Sequence, residues 1–158
     1  MTNLSVNVNK IAWLRNARGE NRPNLIEMSK ILIESGVHGL TVHPRPDLRH
    51  ITPDDVYDLS ILCADNKVEF NIEGNPYSEQ TKIYPGFLNL VKEIMPDQCT
   101  LVPDSPDQLT SDHGWEIQAK DHNAVRNIVE EIQTDKTRVS FFVDPNIAQI
   151  DAIKELGA

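Results

Sequence analysis

The run HPRPDLRH places His43, Arg45, Arg49 and His50 within eight residues, and its two prolines restrict the backbone that carries them. Guanidinium groups bind phosphate in bidentate fashion and stay charged at any relevant pH, while an imidazole exchanges protons near neutrality. Such a run suits a phosphorylated small molecule and a reaction that moves protons. A zinc site is the rival reading, although no cysteine arrangement or HExxH motif supports it. Arg15 and Arg18, in WLRNARG, are further candidates for phosphate, with the solvated loop arginine as the plain alternative. Asn7 and Asn9 near the start, and Asn71 and Glu73 in FNIEG, add amides and a carboxyl. Glu73 follows an apolar run, so partial desolvation would raise its pKa and make it an acid or base; a salt bridge to an arginine is the alternative.

The elements that would position these groups follow from hydrophobic period. β-rich runs at 4–8, 39–43, 68–72, 98–102 and 138–143 alternate with segments of helical period, the sign of βα units on a parallel sheet. Asn7 and Asn9, His43 and Arg45, and Asn71 and Glu73 then fall at the ends of the first three strands, where parallel βα architectures bind their ligands. The loop after the first strand would carry Arg15 and Arg18.

In the first helix Leu25, Met28, Ile31 and Leu32 share a face, Asn24 caps the start and Gly36 supplies the left-handed stop. Thr52 and Pro53 read as N-cap and first position of the second, with Val56, Leu59 and Leu62 inward. A third begins at Pro85 and buries Leu88, Val91 and Ile94, after a polar connection over 74–84 with room for a short helix of its own. Val125, Ile128, Val129 and Ile132 mark the fourth. Asp144 and Pro145 open a fifth with Ile147, Ile150, Ile153 and Leu156 inward. His113 and His122 fall in the polar stretch after the fourth strand and are expected to be exposed; Trp13 and Trp115 read as packing residues or as a lid.

Composition narrows the function classes. A length of 158 residues suits one domain, 1–158, and no run approaches the roughly 18 apolar residues of a membrane span. Nor does the start resemble a secretory signal, which points to the cytoplasm and to no membrane partner. Cys63 and Cys99 sit in apolar segments without metal or redox spacing and read as reduced small hydrophobes. A formal net charge of −9 and the lack of a basic stripe argue against nucleic acid, whereas a local cluster of Arg and His still accommodates a small anion. Five βα units in this length fit a doubly wound sheet as well as part of a (β/α)8 barrel; no glycine-rich phosphate loop follows the first strand, as a dinucleotide-binding protein would need.

The strings NVNKIAWLRNARG, GLTVHPRPDLRHI, FNIEG and TLVPDSPDQLTSDHGWE, in this order, resemble the successive strand-end motifs of the pyridoxine 5'-phosphate synthase family over the whole chain. The resemblance implies an α/β (β/α)8 TIM barrel that forms a homo-oligomer, an octamer in the family. It also implies condensation of the phosphorylated substrates 1-deoxy-D-xylulose 5-phosphate and 3-amino-2-oxopropyl phosphate with release of phosphate and water, with no cofactor and no metal. On the matching positions, His43 and Glu73 would be the acid/base pair. Arg45, His50 and Thr110 would hold the deoxyxylulose phosphate, and Asn7 and Arg18 would contact the aminooxopropyl phosphate. Asn9 and Lys10 stand where many relatives have Asp-His, so an amide and an ammonium would make the contacts there. The family continues past a turn like Leu156-Gly157-Ala158 into three more strands, which add a glutamate, a histidine acid and backbone contacts to phosphate. The chain is therefore expected to hold the first five βα units and to leave open sheet edges, apolar on both faces. The alternative in a different class is a non-catalytic phosphometabolite-binding fragment that needs a complementing chain.

Overall fold

The computed structural model describes residues 2–105, 107–118 and 120–158. Its elements are β1 (Ser5–Asn7), α1 (Asn9–Arg18), α2 (Leu25–Glu34), β2 (Gly39–Val42), α3 (Pro53–Asn66), β3 (Glu69–Gly74), α4 (Phe87–Ile94), β4 (Gln98–Leu101), α5 (His122–Ile132), β5 (Arg138–Phe141) and α6 (Ile147–Glu155). All five strands are parallel and lie in the order β1-β2-β3-β4-β5. A doubly wound sheet reverses strand order around a switch point, whereas a barrel adds each strand beside the last. Sequential order therefore decides for an α/β sheet of the barrel type, and it brings all five carboxyl ends to one rim.

Side chains alternate along each strand, so the sheet has two faces of different chemistry. Leu40, Val42, Phe70, Ile72, Cys99, Leu101 and Val139 form one face and join the hydrophobic core beneath the helices. The other face carries a hydrogen-bonded polar row across all five strands. Ser5 Oγ lies 2.8 Å from Thr41 Oγ1, Asn71 Nδ2 donates to Thr41 Oγ1 at 3.3 Å, Thr100 Oγ1 donates to Asn71 Oδ1 at 3.0 Å, and Ser140 Oγ lies 2.8 Å from Thr100 Oγ1. The expectation of a sheet apolar on both faces was wrong: only the helix-covered face is apolar.

Several helix ends form as their residues dictate. Thr52 Oγ1 accepts from the Asp55 N–H while the Asp55 carboxylate accepts from the Thr52 N–H, a complete capping box with Pro53 at the first position. Asn24 Oδ1 accepts from the Glu27 N–H at 3.0 Å, and Gly36 follows α2 at φ +90°.

Other expectations need correction. The segment read as a loop carrying Arg15 and Arg18 is helix α1; its mean hydropathy is low and only Ala12 is buried on it, so little apolar period marks it. Of the face expected on α2, Leu25 is buried and Leu32 packs against the core, but Met28 and Ile31 are exposed and Ser29 faces inward. No helix forms over 75–84, and α4 starts at Phe87 rather than Pro85. Asn146, not Asp144, caps α6, its side chain accepting from the Ala148 N–H at 3.0 Å; Ile147 and Ile150 are exposed while Ile153 and Leu156 are buried.

Both cysteines are buried and free, and burial pushes the Cys63 thiol up to about 12. None of the described helices is long and apolar enough to cross a membrane.

Gly74 ends β3 against α4, and a Cβ there would meet the fully buried ring of Phe87 at 2.5 Å. Gly74→Ala should therefore destabilise the fold by about 1–3 kcal/mol through overpacking. Urea unfolding would show a lower midpoint at an unchanged slope; an unchanged midpoint would mean that the Phe87 ring yields freely.

Candidate active site

The cleft that collects the predicted groups has a volume of about 660 Å³ and opens at the carboxyl ends of the strands. Asn7, Asn9, Lys10, His43, Arg45, Arg49, His50, Glu73 and Thr110 all line it, together with Trp13, Ser111 and Phe142. A larger cavity of about 840 Å³ opens at the opposite end of the strands beside His38, Glu69, Asp97 and Arg138. The convergence of titratable groups on the carboxyl-end rim, where barrel enzymes carry their chemistry, favours the smaller one as the site.

Short straps hold the rim in place. Asn7 Oδ1 accepts from the Asn9 N–H at 2.9 Å, and Asn9 Oδ1 accepts from the His43 N–H at 2.9 Å, so the first residue of α1, itself tied to the end of β1, fixes the backbone of the first imidazole. Asn7 Nδ2 also donates to Glu73 Oε2 at 3.2 Å. Arg15 is not a free phosphate ligand: its terminal nitrogens pair with Asp55 at 2.5 and 2.8 Å, and one reaches the His50 carbonyl at 3.3 Å. Together with Asn16, which donates to the same carbonyl at 2.8 Å, it steadies the loop that carries His50. Arg18 ends α1 exposed and does not line the cleft.

Arg45 is buried and already engaged. Nη1 donates to Asp104 Oδ2 at 2.8 Å, and Nη2 donates to the carbonyls of Ser105 and Gln108 at 3.1 and 3.0 Å. Arg49 Nη1 donates to the carbonyls of Gln108 and Leu109 at 3.1 and 2.9 Å, and Arg49 pairs with Asp47. The two arginines thus draw the loop after β4 toward the cleft, bringing Thr110 and Ser111 to its wall. Among the described cations that line the cleft, only Lys10 has no carboxylate partner; its Nζ lies 5.6 Å from the centre of the Trp13 ring.

Protonation follows from burial and from these charges. Burial, with Arg45, His50 and Arg49 nearby, lowers His43 to about 3; burial and Arg45 lower His50 to about 4. Both rings are therefore neutral at pH 7. His50 Nδ1 accepts from the Ile51 N–H at 2.9 Å, which leaves the proton on Nε2. Burial raises Glu73 to about 7, assisted by the charge of Asp104 and opposed by the Asn7 hydrogen bond. A carboxyl poised there is populated in both forms at neutral pH, as an acid/base requires. No Arg salt bridge forms at Glu73 among the described residues, which removes the alternative reading of it.

Asp104 was missed. It lies three residues past Leu101, the last residue of β4, and an acidic residue in the loop just beyond a strand's carboxyl end was its signal in the sequence. Trp115 is a packing residue: its Nε1 donates to the Leu101 carbonyl at 2.9 Å and its ring meets Phe141 edge-on. Trp13 is exposed at the cleft. His113 is exposed as expected, whereas His122 is half-buried as the first residue of α5, its Nε2 enclosed beside Glu155. Among the described residues, no group of three or more His, Cys, Asp and Glu side chains is arranged to hold a metal ion.

Residues 4–158 match the family model of the pyridoxal phosphate biosynthesis protein PdxJ. The chain belongs to the PdxJ family. It is 52% identical over 146 residues to a pyridoxine 5'-phosphate synthase of Xylella fastidiosa, covering 92% of this chain and 56% of that one. It is also 51% identical over 155 residues to the corresponding synthase of Xanthomonas campestris pv. campestris, covering 96% and 60%. For Xanthomonas oryzae pv. oryzae the figures are 48% over 157 residues, covering 99% and 61%. The chain thus spans 56% to 61% of the length of these curated relatives. A β-mannanase from Thermomonospora fusca aligns in structure with a TM-score of 0.44 at 14% identity, over 99% of this chain and 64% of that one, too weakly to carry an argument.

For this PdxJ-family cleft the pH dependence has a definite sign. The folded pKa of Glu73, about 7, lies above its ordinary 4.5, so between these values the folded state keeps a proton that the unfolded chain has lost. Glu73 therefore costs stability increasingly as pH rises through that window. His43 and His50 act oppositely: their folded values of about 3 and about 4 lie below 6.5, so their neutral burial costs stability as pH falls below 6.5. Glu73→Gln removes one cost only. Relative to the parent chain it should be more favourable near pH 8 than near pH 4.5 by about 1–2 kcal/mol, allowing for the partial exposure of the carboxyl. Urea unfolding at both pH values checks this, and an equal difference at the two would show an unshifted carboxyl.

Proposed function

We propose that this chain carries the substrate cleft and the acid/base pair of a pyridoxine 5'-phosphate synthase. The reaction condenses 3-amino-2-oxopropyl phosphate with 1-deoxy-D-xylulose 5-phosphate to pyridoxine 5'-phosphate, phosphate and water. The observation that carries the reading is the pairing of His43, neutral at pH 7, with Glu73, raised to about 7, in one cleft rimmed by cations. Imine formation, dehydration and ring closure each require a proton to be taken from one position and given to another. Glu73 can do either near neutrality, and the neutral imidazole of His43 can accept.

The remaining residues hold the anions. Lys10 offers its unpaired ammonium, and His50 offers Nε2–H with its tautomer already fixed. Thr110 adds a hydroxyl on the loop that Arg45 and Arg49 restrain. Asn7, hydrogen-bonded to Glu73, stands where the aminooxopropyl phosphate would meet the carboxyl. Asn9 keeps its amide nitrogen for substrate while its oxygen serves the His43 backbone. The protein would act as a homo-oligomer in the cytoplasm, as one domain, without cofactor or metal.

Turnover by the protein carrying this sequence is the deciding measurement. Supplied with the two phosphates, it should form pyridoxine 5'-phosphate, and His43→Ala and Glu73→Gln should each lower the rate by about 10²- to 10⁴-fold. Binding of deoxyxylulose phosphate without product would favour a non-catalytic phosphometabolite-binding fragment that needs a complementing chain. Neither binding nor turnover by the folded protein would reject both.

A further inference from the structure

Asp104 stands just beyond β4 and is almost fully buried. Its Oδ2 accepts from Arg45 Nη1 at 2.8 Å and from Ser111 Oγ at 2.9 Å, and the same oxygen lies 3.5 Å from Nε2 of His43. Its Oδ1 is enclosed with no hydrogen-bond partner. A buried oxygen left without a donor costs free energy, and a donor that reaches it recovers that cost. Nε2 of His43 lies 3.5 Å from the neighbouring Oδ2 of the same carboxylate, and hydrogen bonds of catalytic groups are often long in a free site and tighten when the site fills. The backbone of His43 is already pinned to Asn9, so rotation of the ring is the freedom that remains to be fixed.

We infer that Asp104 is a positioning residue: its carboxylate accepts the Nε2–H of His43 and so leaves the ring's lone pair on Nδ1, while it anchors Arg45 and Ser111 beside the ring. The inference rests on the acid/base role proposed for His43. Because the His43 ring is neutral, its tautomer rather than its charge is what a neighbouring acceptor decides. Burial first, and then the charge of Arg45, oppose a proton on the ring, so a histidine beside an aspartate is not driven to imidazolium here. Arg49 and His50 add to the opposition to positive charge on the ring, and Asp47 alone among the neighbours favours it. An aspartate that orders a histidine tautomer without taking its proton is an arrangement known from hydrolytic triads.

The test reads the tautomer directly and needs no turnover. In the ¹⁵N-labelled 158-residue chain, long-range proton–nitrogen spectra distinguish protonated from unprotonated ring nitrogens, and His43→Gln assigns the signals. The parent chain is expected to show His43 protonated on Nε2; protonation on Nδ1 would overturn the inference without recourse to any variant. In Asp104→Asn the amide oxygen is drawn to Arg45 and the NH₂ turns toward the ring, so the proton should move to Nδ1 in most molecules. Asp104→Glu should restore Nε2–H. Ser111→Ala removes a neighbour of the carboxylate without removing the acceptor and should leave the tautomer unchanged. A folded Asp104→Asn that keeps Nε2–H, or a Ser111→Ala that shifts the proton as fully, would reduce Asp104 to a packing partner of Arg45. A parent chain with the expected tautomer but no product would count against the proposed reaction and not against the placement of Asp104.

Discussion

Every feature of the site depends on one constraint: five strands, all parallel, each laid beside its predecessor. Parallel pairing in chain order brings Asn7, His43, Glu73 and Asp104 to one rim although they are scattered over about a hundred residues of sequence. It also sorts the side chains by face. Leu40, Ile72 and Leu101 go under the helices, and Thr41, Asn71 and Thr100 form the polar row on the other side. The polar row satisfies its own donors and acceptors strand to strand, so groups that would each be costly to bury singly are buried together.

Upon that frame, charge pairing sets the chemistry. A buried guanidinium is expensive unless paired, and Arg45 is paired three ways, to Asp104 and two carbonyls. Burial and the Arg45 guanidinium keep His43 uncharged, while the charge of Asp104 helps burial hold a proton on Glu73. Burial thus separates the two titrating groups, pushing the imidazole below its ordinary range with help from Arg45 and the carboxyl above its own with help from Asp104. Environments that push two pKa values apart in one cleft are what acid/base division of labour needs.

Much of this was legible in the sequence because it rests on local signals. Turn and cap residues such as Asn24, Thr52 and Gly36 act within a few positions, and strand-end polarity at His43 and Glu73 survives any reasonable placement of the strands. The unread parts are those decided by distant partners. Arg15 looks like a ligand until Asp55, forty positions away, is known to occupy it. That the loop after β4 folds onto Arg45 was likewise not readable from sequence. Helix α1 escaped notice because it buries so little, and on α2 Met28 and Ile31 were read inward with Leu25 although Ser29 shares the inner face with it. Periodicity reports which residues share a face; it does not report which of two apolar stripes meets the sheet.

The pair Asn9 and Lys10 shows how a local departure can leave the frame intact and retune the cleft. Where the family resemblance leads one to expect Asp-His, the amide oxygen of Asn9 still accepts the His43 N–H, a task for which a carboxylate oxygen and an amide oxygen are equivalent. The backbone strap therefore survives the exchange. The charge does not. Replacing an anion and a near-neutral ring with an amide and an ammonium makes the mouth of the cleft more positive by about two charges at neutral pH, before any screening. Because Arg45 and Arg49 are committed to Asp104 and Asp47, Lys10 supplies the unpaired cation at the mouth of the cleft among the described residues, and it also contributes to holding His50 neutral. The exchange thus alters the charge at the mouth of the cleft, while the geometry that positions His43 remains the work of Asn9.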